Sequence, residues 1–187
     1  FATRKVMFHS KGDILMKKYL VTFLSSILIL SMMTMNVYAK PYNPNDYTSV
    51  NEVSELLPVS IRQNKVSEFA KARGDFFMRA DLAISDEGNG DIGVVAIGYL
   101  AISVDEAYIT IYLDRWDETS ERWRQVKYYD AEYYAKDYPE GLDTPTVNIT
   151  FKNQEKDYYY RLRGVFTAVY NDNFESFSPV TAGILIE

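Results

Sequence analysis

The 187-residue chain contains no cysteine and a single histidine, His9. Without thiols there is no disulfide, no thiolate for zinc and no residue to carry a lipoprotein anchor. If His9 is lost with the N-terminal segment, as argued below, neither a Ser-His-Asp triad nor a Cys-His pair can form. The imidazole ligands of zinc and copper go with it. Dinucleotide-binding glycine motifs and phosphate-binding loops are missing as well. So are internal repeats and low-complexity linkers.

Long apolar runs are equally scarce. Tyr19–Met35 follows Met16-Lys17-Lys18 and precedes Val37-Tyr38-Ala39, which is the order of a basic region, an apolar stretch and small residues at a cleavage site. Thr22, Ser25, Ser26, Ser31 and Thr34 interrupt the run, and no stop-transfer charges follow it. A spanning helix wants about 20 predominantly apolar residues. The pattern therefore predicts a signal peptide, Met16–Ala39, cleaved after Ala39. Upstream, the chain opens on Phe1, and Lys11-Gly12-Asp13 can be encoded by a purine-rich ribosome-binding stretch. Phe1–Leu15 is thus expected to be leader read through in frame. Gly183–Glu187 carries neither a wall-sorting pattern nor an apolar tail, so release into the medium is expected.

Basic residues are also in deficit. Residues 1–39 take five of the 20 cations and one of the 26 carboxylates, leaving 15 against 25 and a net charge of −10 for residues 40–187. That balance argues against nucleic acid and anionic lipid as partners. Secretion without disulfides points to a Gram-positive bacterium.

What is present is strand pattern. The remaining 148 residues suffice for one domain, which at this size buries about 68–70% of its unfolded surface. Residues 40–72 read as a lead-in, with helical turns expected at Val50–Leu57 and Lys65–Lys71, where Val66, Phe69 and Ala70 are spaced to share a face. From Arg73 the period becomes two. Strands are expected at Phe77–Ser85, Ile92–Ile102, Ile109–Asp114, Trp123–Tyr133, Val147–Phe151 and Tyr158–Ala168, with a seventh running from Asn173 to Ile186. Asp86–Asp91 is turn chemistry. Seven short strands predict an antiparallel β-sandwich over residues 73–187.

Tyr158–Val165, followed by Asn173 and Glu175-Ser176, resembles the sixth strand and turn of a fibronectin type III domain. The resemblance implies an immunoglobulin-like or fibronectin-III-like sandwich in which Tyr158 is the corner tyrosine. Ile109–Trp116 and Trp123–Val126 fit it too, although the usual second-strand tryptophan is missing. Arg73-Gly74, Asp86–Ile92, the Trp123 hairpin, Tyr159–Gly164 and Thr181–Ile184 are similar to an uncharacterised family of small secreted proteins of Gram-positive gut bacteria. That similarity implies a fold and no activity.

Candidate chemistry is limited to carboxylates and aromatics. Asp114 and Asp117 with Glu118, or Asp130 and Glu132 on one strand face, would be the acids of a small glycoside hydrolase. Asp86, Glu87, Asn89 and Asp91 concentrate oxygens in one loop, as calcium requires, but their spacing is that of a turn. Fourteen of the 16 tyrosines follow residue 39, and both tryptophans fall in one hairpin. Trp116, Trp123, Tyr128 and Tyr133 are the candidate ligand-binding residues, because aromatic platforms stack on sugar rings or anchor proteins. Arg161 and Arg163 are expected at the surface, offsetting its negative charge. The expectation is a secreted, non-catalytic binding module without cofactor or metal, its partner a protein or glycan. The alternatives are the hydrolase and a protein that self-associates through an open sheet edge.

Overall fold

Alternation of apolar and polar residues places the core. In β4 (Glu106–Asp117), Ala107, Ile109, Ile111 and Leu113 are buried on one face, while Tyr108, Thr110, Tyr112 and Asp114 take the other. The same period puts Leu82 and Ile84 of β2 (Phe77–Gly88), Ile92 and Val94 of β3 (Asp91–Leu100), and Leu162 and Phe166 of β7 (Tyr158–Tyr170) into one apolar cluster. Side chains from both sheets described below meet in that cluster. These coordinates are a computed structural model that describes residues 43–70 and 76–187. The expected signal peptide, the segment before it and Arg73-Gly74 lie outside the described residues. Asn43–Glu187 forms one compact unit.

The described residues contain nine strands in two antiparallel sheets. One sheet has the order β1-β2-β3-β6, with β1 at Gln63–Phe69 and β6 at Thr146–Phe151. The other has the order β5-β4-β7-β8, with β5 at Arg122–Tyr134 and β8 at Asn173–Phe177. A short β9, Ile184–Ile186, pairs with the start of β7. No helix among the described residues is long and apolar enough to cross a membrane.

The count of nine corrects the expected seven in two places. Residues 65–69, expected within a helical turn at Lys65–Lys71, instead belong to β1, which pairs rung by rung with β2 from Gln63↔Ser85 to Phe69↔Arg79. The helical spacing of Val66, Phe69 and Ala70 gives way because β2 offers an unpaired edge whose backbone groups need partners. Val66 lies against the core, while Asn64 and Glu68 accept hydrogen bonds from the Ala182 and Ser178 amides. Residues 50–57 form no helix either; their one ladder contact is a parallel bridge from Leu56 to Gly183. The expected seventh strand is two strands, β8 and β9, separated by residues 178–183. The second expected strand ends at Leu100, and Ile102 is exposed.

The β2–β3 turn follows its composition. Gly88, Asn89 and Gly90 all adopt positive φ, and a Cβ on Gly90 would come within 2.4 Å of the Gln154 carbonyl oxygen. Asp86 caps the turn through the Gly88 amide. At the start of β7 the tie expected of Tyr158 is made by Tyr160, whose hydroxyl donates to the Glu155 carbonyl at 2.9 Å. Both rings share a strand face. Tyr158, however, sits at the strand's exposed end, whereas Tyr160 is two residues further in and buried. Tyr160→Phe should cost about 1–2 kcal/mol by stranding that carbonyl. Urea denaturation should then show a lower midpoint at an unchanged slope.

Candidate functional site

The β4–β5 hairpin carries the candidate residues. Its turn is set by Asp117, which accepts hydrogen bonds from the Thr119 and Ser120 amides and pairs with Arg124. Hydrogen bonding from the Ser120 hydroxyl, then from Arg124, holds the Asp117 carboxyl down at about 2. Glu121 closes the turn at φ 45°. Trp116 and Trp123 then face each other across the ladder, with ring centroids 5.3 Å apart in an edge-to-face arrangement.

A register shift between Leu113 and Asp114 decides the rest. Leu113 pairs with Lys127 but Asp114 pairs with Gln125, so Val126 is a bulge. The extra residue inverts the parity of β5. Trp123 and Gln125 share the outer face with Tyr128, Asp130 and Glu132, opposite Trp116, Asp114, Tyr112, Thr110 and Tyr108. Tyr133 is opposite Ala107, on the core face. Its hydroxyl donates to the Thr146 carbonyl, and burial, with Tyr138 and Tyr129 nearby, pushes its phenol up to about 12.

The four aromatics therefore do not make one patch. Tyr128 is 64% exposed, Trp116 is half-buried, Trp123 is 5% exposed, and Tyr133 lies on the opposite face. Trp123 is covered by the Arg161 guanidinium, 4.5 Å from its ring, and by Gly183, against which Leu56 also packs. A Cβ on Gly183 would approach the indole to 2.7 Å, so glycine is needed there for the close approach.

Beneath this cover lies an ion triad. Asp114 is fully buried and accepts from Arg161 Nε at 3.1 Å and from Arg163 at 2.7 and 3.1 Å. Arg161 also donates to the backbone carbonyls of Val50 and Glu52, and Arg163 donates to Gln125. The Arg163 guanidinium stacks over Tyr112 at 4.7 Å. Arg161 and Arg163 thus do not sit at the surface as expected. Residues 50–57 cross over Arg161, strapped down by the Leu57 amide to the Gly183 carbonyl and the Gly183 amide to the Glu55 carbonyl.

The carboxylates are similarly committed. Asp114, held in the triad, is shielded from any substrate, so it does not form an acid pair with Asp117 at the hairpin rim. Asp130 and Glu132 do share a face, with the Tyr134 hydroxyl donating to Glu132. In the Asp86–Asp91 loop, Asp86 pairs with Arg62, Glu87 accepts from Thr150, and Asp91 accepts from the Asn153 amide. Among the described residues no three or more acidic or histidine side chains converge as a metal site.

An open cleft lies at the hairpin end. It has a volume of about 400 Å³ and lies between residues 50–54 and the strand ends, with Trp116, Glu52, Ser54, Glu121 and Arg122 on its walls. Sequence reasoning found Trp116 and missed the strap. Nothing local marks Val50 or Glu52 as partners of a residue some 110 positions away. Among comparisons with known proteins, no family model matches the chain and no curated protein matches it.

Proposed function

We propose that this is a secreted, non-catalytic binding module of a Gram-positive bacterium, built as a fibronectin-III-like sandwich, that recognises a glycan at the Trp116 cleft. The fold reading is supported by the strand order. With β1 taken as an addition, β2, β3 and β6 oppose β5, β4, β7 and β8, and a buried tyrosine ties back to the loop before the sixth of those strands. Secretion is supported by the pattern of Met16–Ala39.

The observation that carries the binding reading is Trp116 itself. It is a half-buried indole held edge-to-face by a buried partner, on the wall of an open cleft whose other walls offer carboxylate, hydroxyl and guanidinium groups. A pyranose needs that combination: an apolar surface for its C–H face and hydrogen-bonding groups for its hydroxyls. Trp116→Ala tests it. In a glycan screen followed by calorimetry, the variant should stay folded and lose affinity about tenfold or more for any glycan the parent binds. Unchanged affinity in the folded variant would reject the cleft as the site.

A further inference from the structure

Arg115 and Trp116 are neighbours on β4 and project to opposite faces, so a second cavity lies behind the hairpin. It measures about 430 Å³ and is bounded by Arg115, Lys127, Lys152, Gln154, Glu155 and the buried Tyr160. We infer that it accepts the carboxylate of a sugar acid.

The first argument is charge. Residues 40–187 carry a net charge of −10, yet this cavity gathers three cations and one carboxylate. Arg115 pairs with Glu155 at 2.7 Å, and neither Lys127 nor Lys152 has a carboxylate partner among the described residues. Cations collected in a concave site on an acidic protein focus a positive potential there and draw anions to it.

The second argument is preorganisation. The loop 152–157 that carries Lys152, Gln154 and Glu155 is pinned from several directions. The Gln154 amide donates to the Gly90 carbonyl at 2.7 Å, the Asn153 amide to Asp91 at 2.9 Å, and the Asp157 amide to the Ile186 carbonyl at 2.7 Å. Tyr160 holds the Glu155 carbonyl from below. The Arg115 guanidinium lies 4.6 Å over the Tyr158 ring, which fixes its plane. The loop backbone and the Arg115 guanidinium are thus held in place before any ligand arrives, which lowers the ordering cost of binding.

The third argument is the Glu155 carboxylate. Its side chain is 67% exposed, yet it reaches back to Arg115 and occupies the place a ligand carboxylate would take. Binding is an exchange of one carboxylate for another at Arg115. Glu155 turns out to solvent, and the two lysines supply the extra charge that favours the incoming anion. The side-chain carboxamide of Asn153 and the side-chain oxygen of Gln154, whose Nε2 donates to the Lys152 carbonyl, lie on the same wall and suit ring hydroxyls, which favours a sugar acid over a peptide terminus. None of this depends on the Trp116 cleft, and Trp116→Ala should leave it intact.

The test is an amide-resolved NMR titration of the full chain with potassium glucuronate, glucose and an acetylated dipeptide at low salt. Glucuronate should shift the amides of residues 152–155 in a saturable way, whereas glucose should not. Lys127→Ala combined with Lys152→Ala should weaken glucuronate binding about tenfold, and both side chains are exposed, so folding is not at issue. Glu155→Gln should strengthen binding severalfold by removing the competing carboxylate. Equal shifts with glucose, no saturation by about 50 mM, or indifference to the lysine and Glu155 substitutions would overturn the assignment. Tighter binding of the dipeptide would overturn the sugar-acid assignment.

Discussion

Asp114→Ala is expected to lower the unfolding free energy by about 3–5 kcal/mol, the range for removing one partner of a buried ion pair. For a domain of this size that is a fall in Tm of roughly 10 °C or more. The cause is the charge left behind. A single carboxylate serves two guanidinium groups, and all three side chains are essentially inaccessible. Arg161 would keep the Val50 and Glu52 carbonyls and Arg163 would keep Gln125, but both Nε donors would lose their acceptor in a site that water does not reach. Replacing the triad as a unit, Asp114→Leu with Arg161→Met and Arg163→Met, should cost less than Asp114→Ala alone, because no charge is stranded. Chemical denaturation of the two proteins decides it. A single variant that loses under about 1 kcal/mol would mean that the strap opens readily and solvates the arginines.

Much of the architecture was legible because it depends on neighbours in sequence. Ile109, Ile111 and Leu113 alternate with Tyr108, Thr110 and Tyr112, and β4 buries the first set as the period requires. Asp86–Asp91 reads as a turn, and its three consecutive positive φ values lie at Gly88, Asn89 and Gly90. The features that were not legible depend on distant partners. Val66, Phe69 and Ala70 carry a helical spacing, and only the free edge of β2 makes the segment a strand. The bulge at Val126 leaves no mark in composition, yet it decides the membership of the site. With unbroken alternation Trp123 would share a face with Tyr133, whereas one extra residue moves Trp123 to the face of Tyr128. Arg161 and Arg163, two residues apart on β7, share one side of their strand. The cover over Arg161 comes from a strap more than 100 residues away in sequence, which no local pattern encodes. Asp114 and the two arginines meet because β4 and β7 are neighbours with Asp114 opposite Arg161, which sets the opposite charges on one sheet face.

Trp123→Ala is expected to destabilise the protein by about 3–5 kcal/mol, the usual cost of truncating a large buried aromatic. Trp116→Ala should cost far less, because the indole it removes is half in solvent. The buried ring is the keystone of three contacts at once: the Trp116 edge, the Arg161 guanidinium and the close-packed Gly183. Without it, Arg161 loses its aromatic face, and Leu56 and Gly183, which hold residues 50–57 against the sheet, close over a cavity. The two variants can be told apart optically, since the chain has only two tryptophans and each variant keeps one as reporter. Trp116→Ala should emit at short wavelength from the buried ring, and Trp123→Ala at longer wavelength from the exposed one. The same contrast governs any binding assay. A Trp123 variant loses ligand by altering the cleft wall that it shares and by disordering the strap opposite, while a Trp116 variant loses it by removing the surface on which the ligand stacks. Only the second isolates recognition from stability. Comparable losses of stability in the two variants would mean that the pair packs symmetrically, and that Trp116 belongs to the fold rather than to the site.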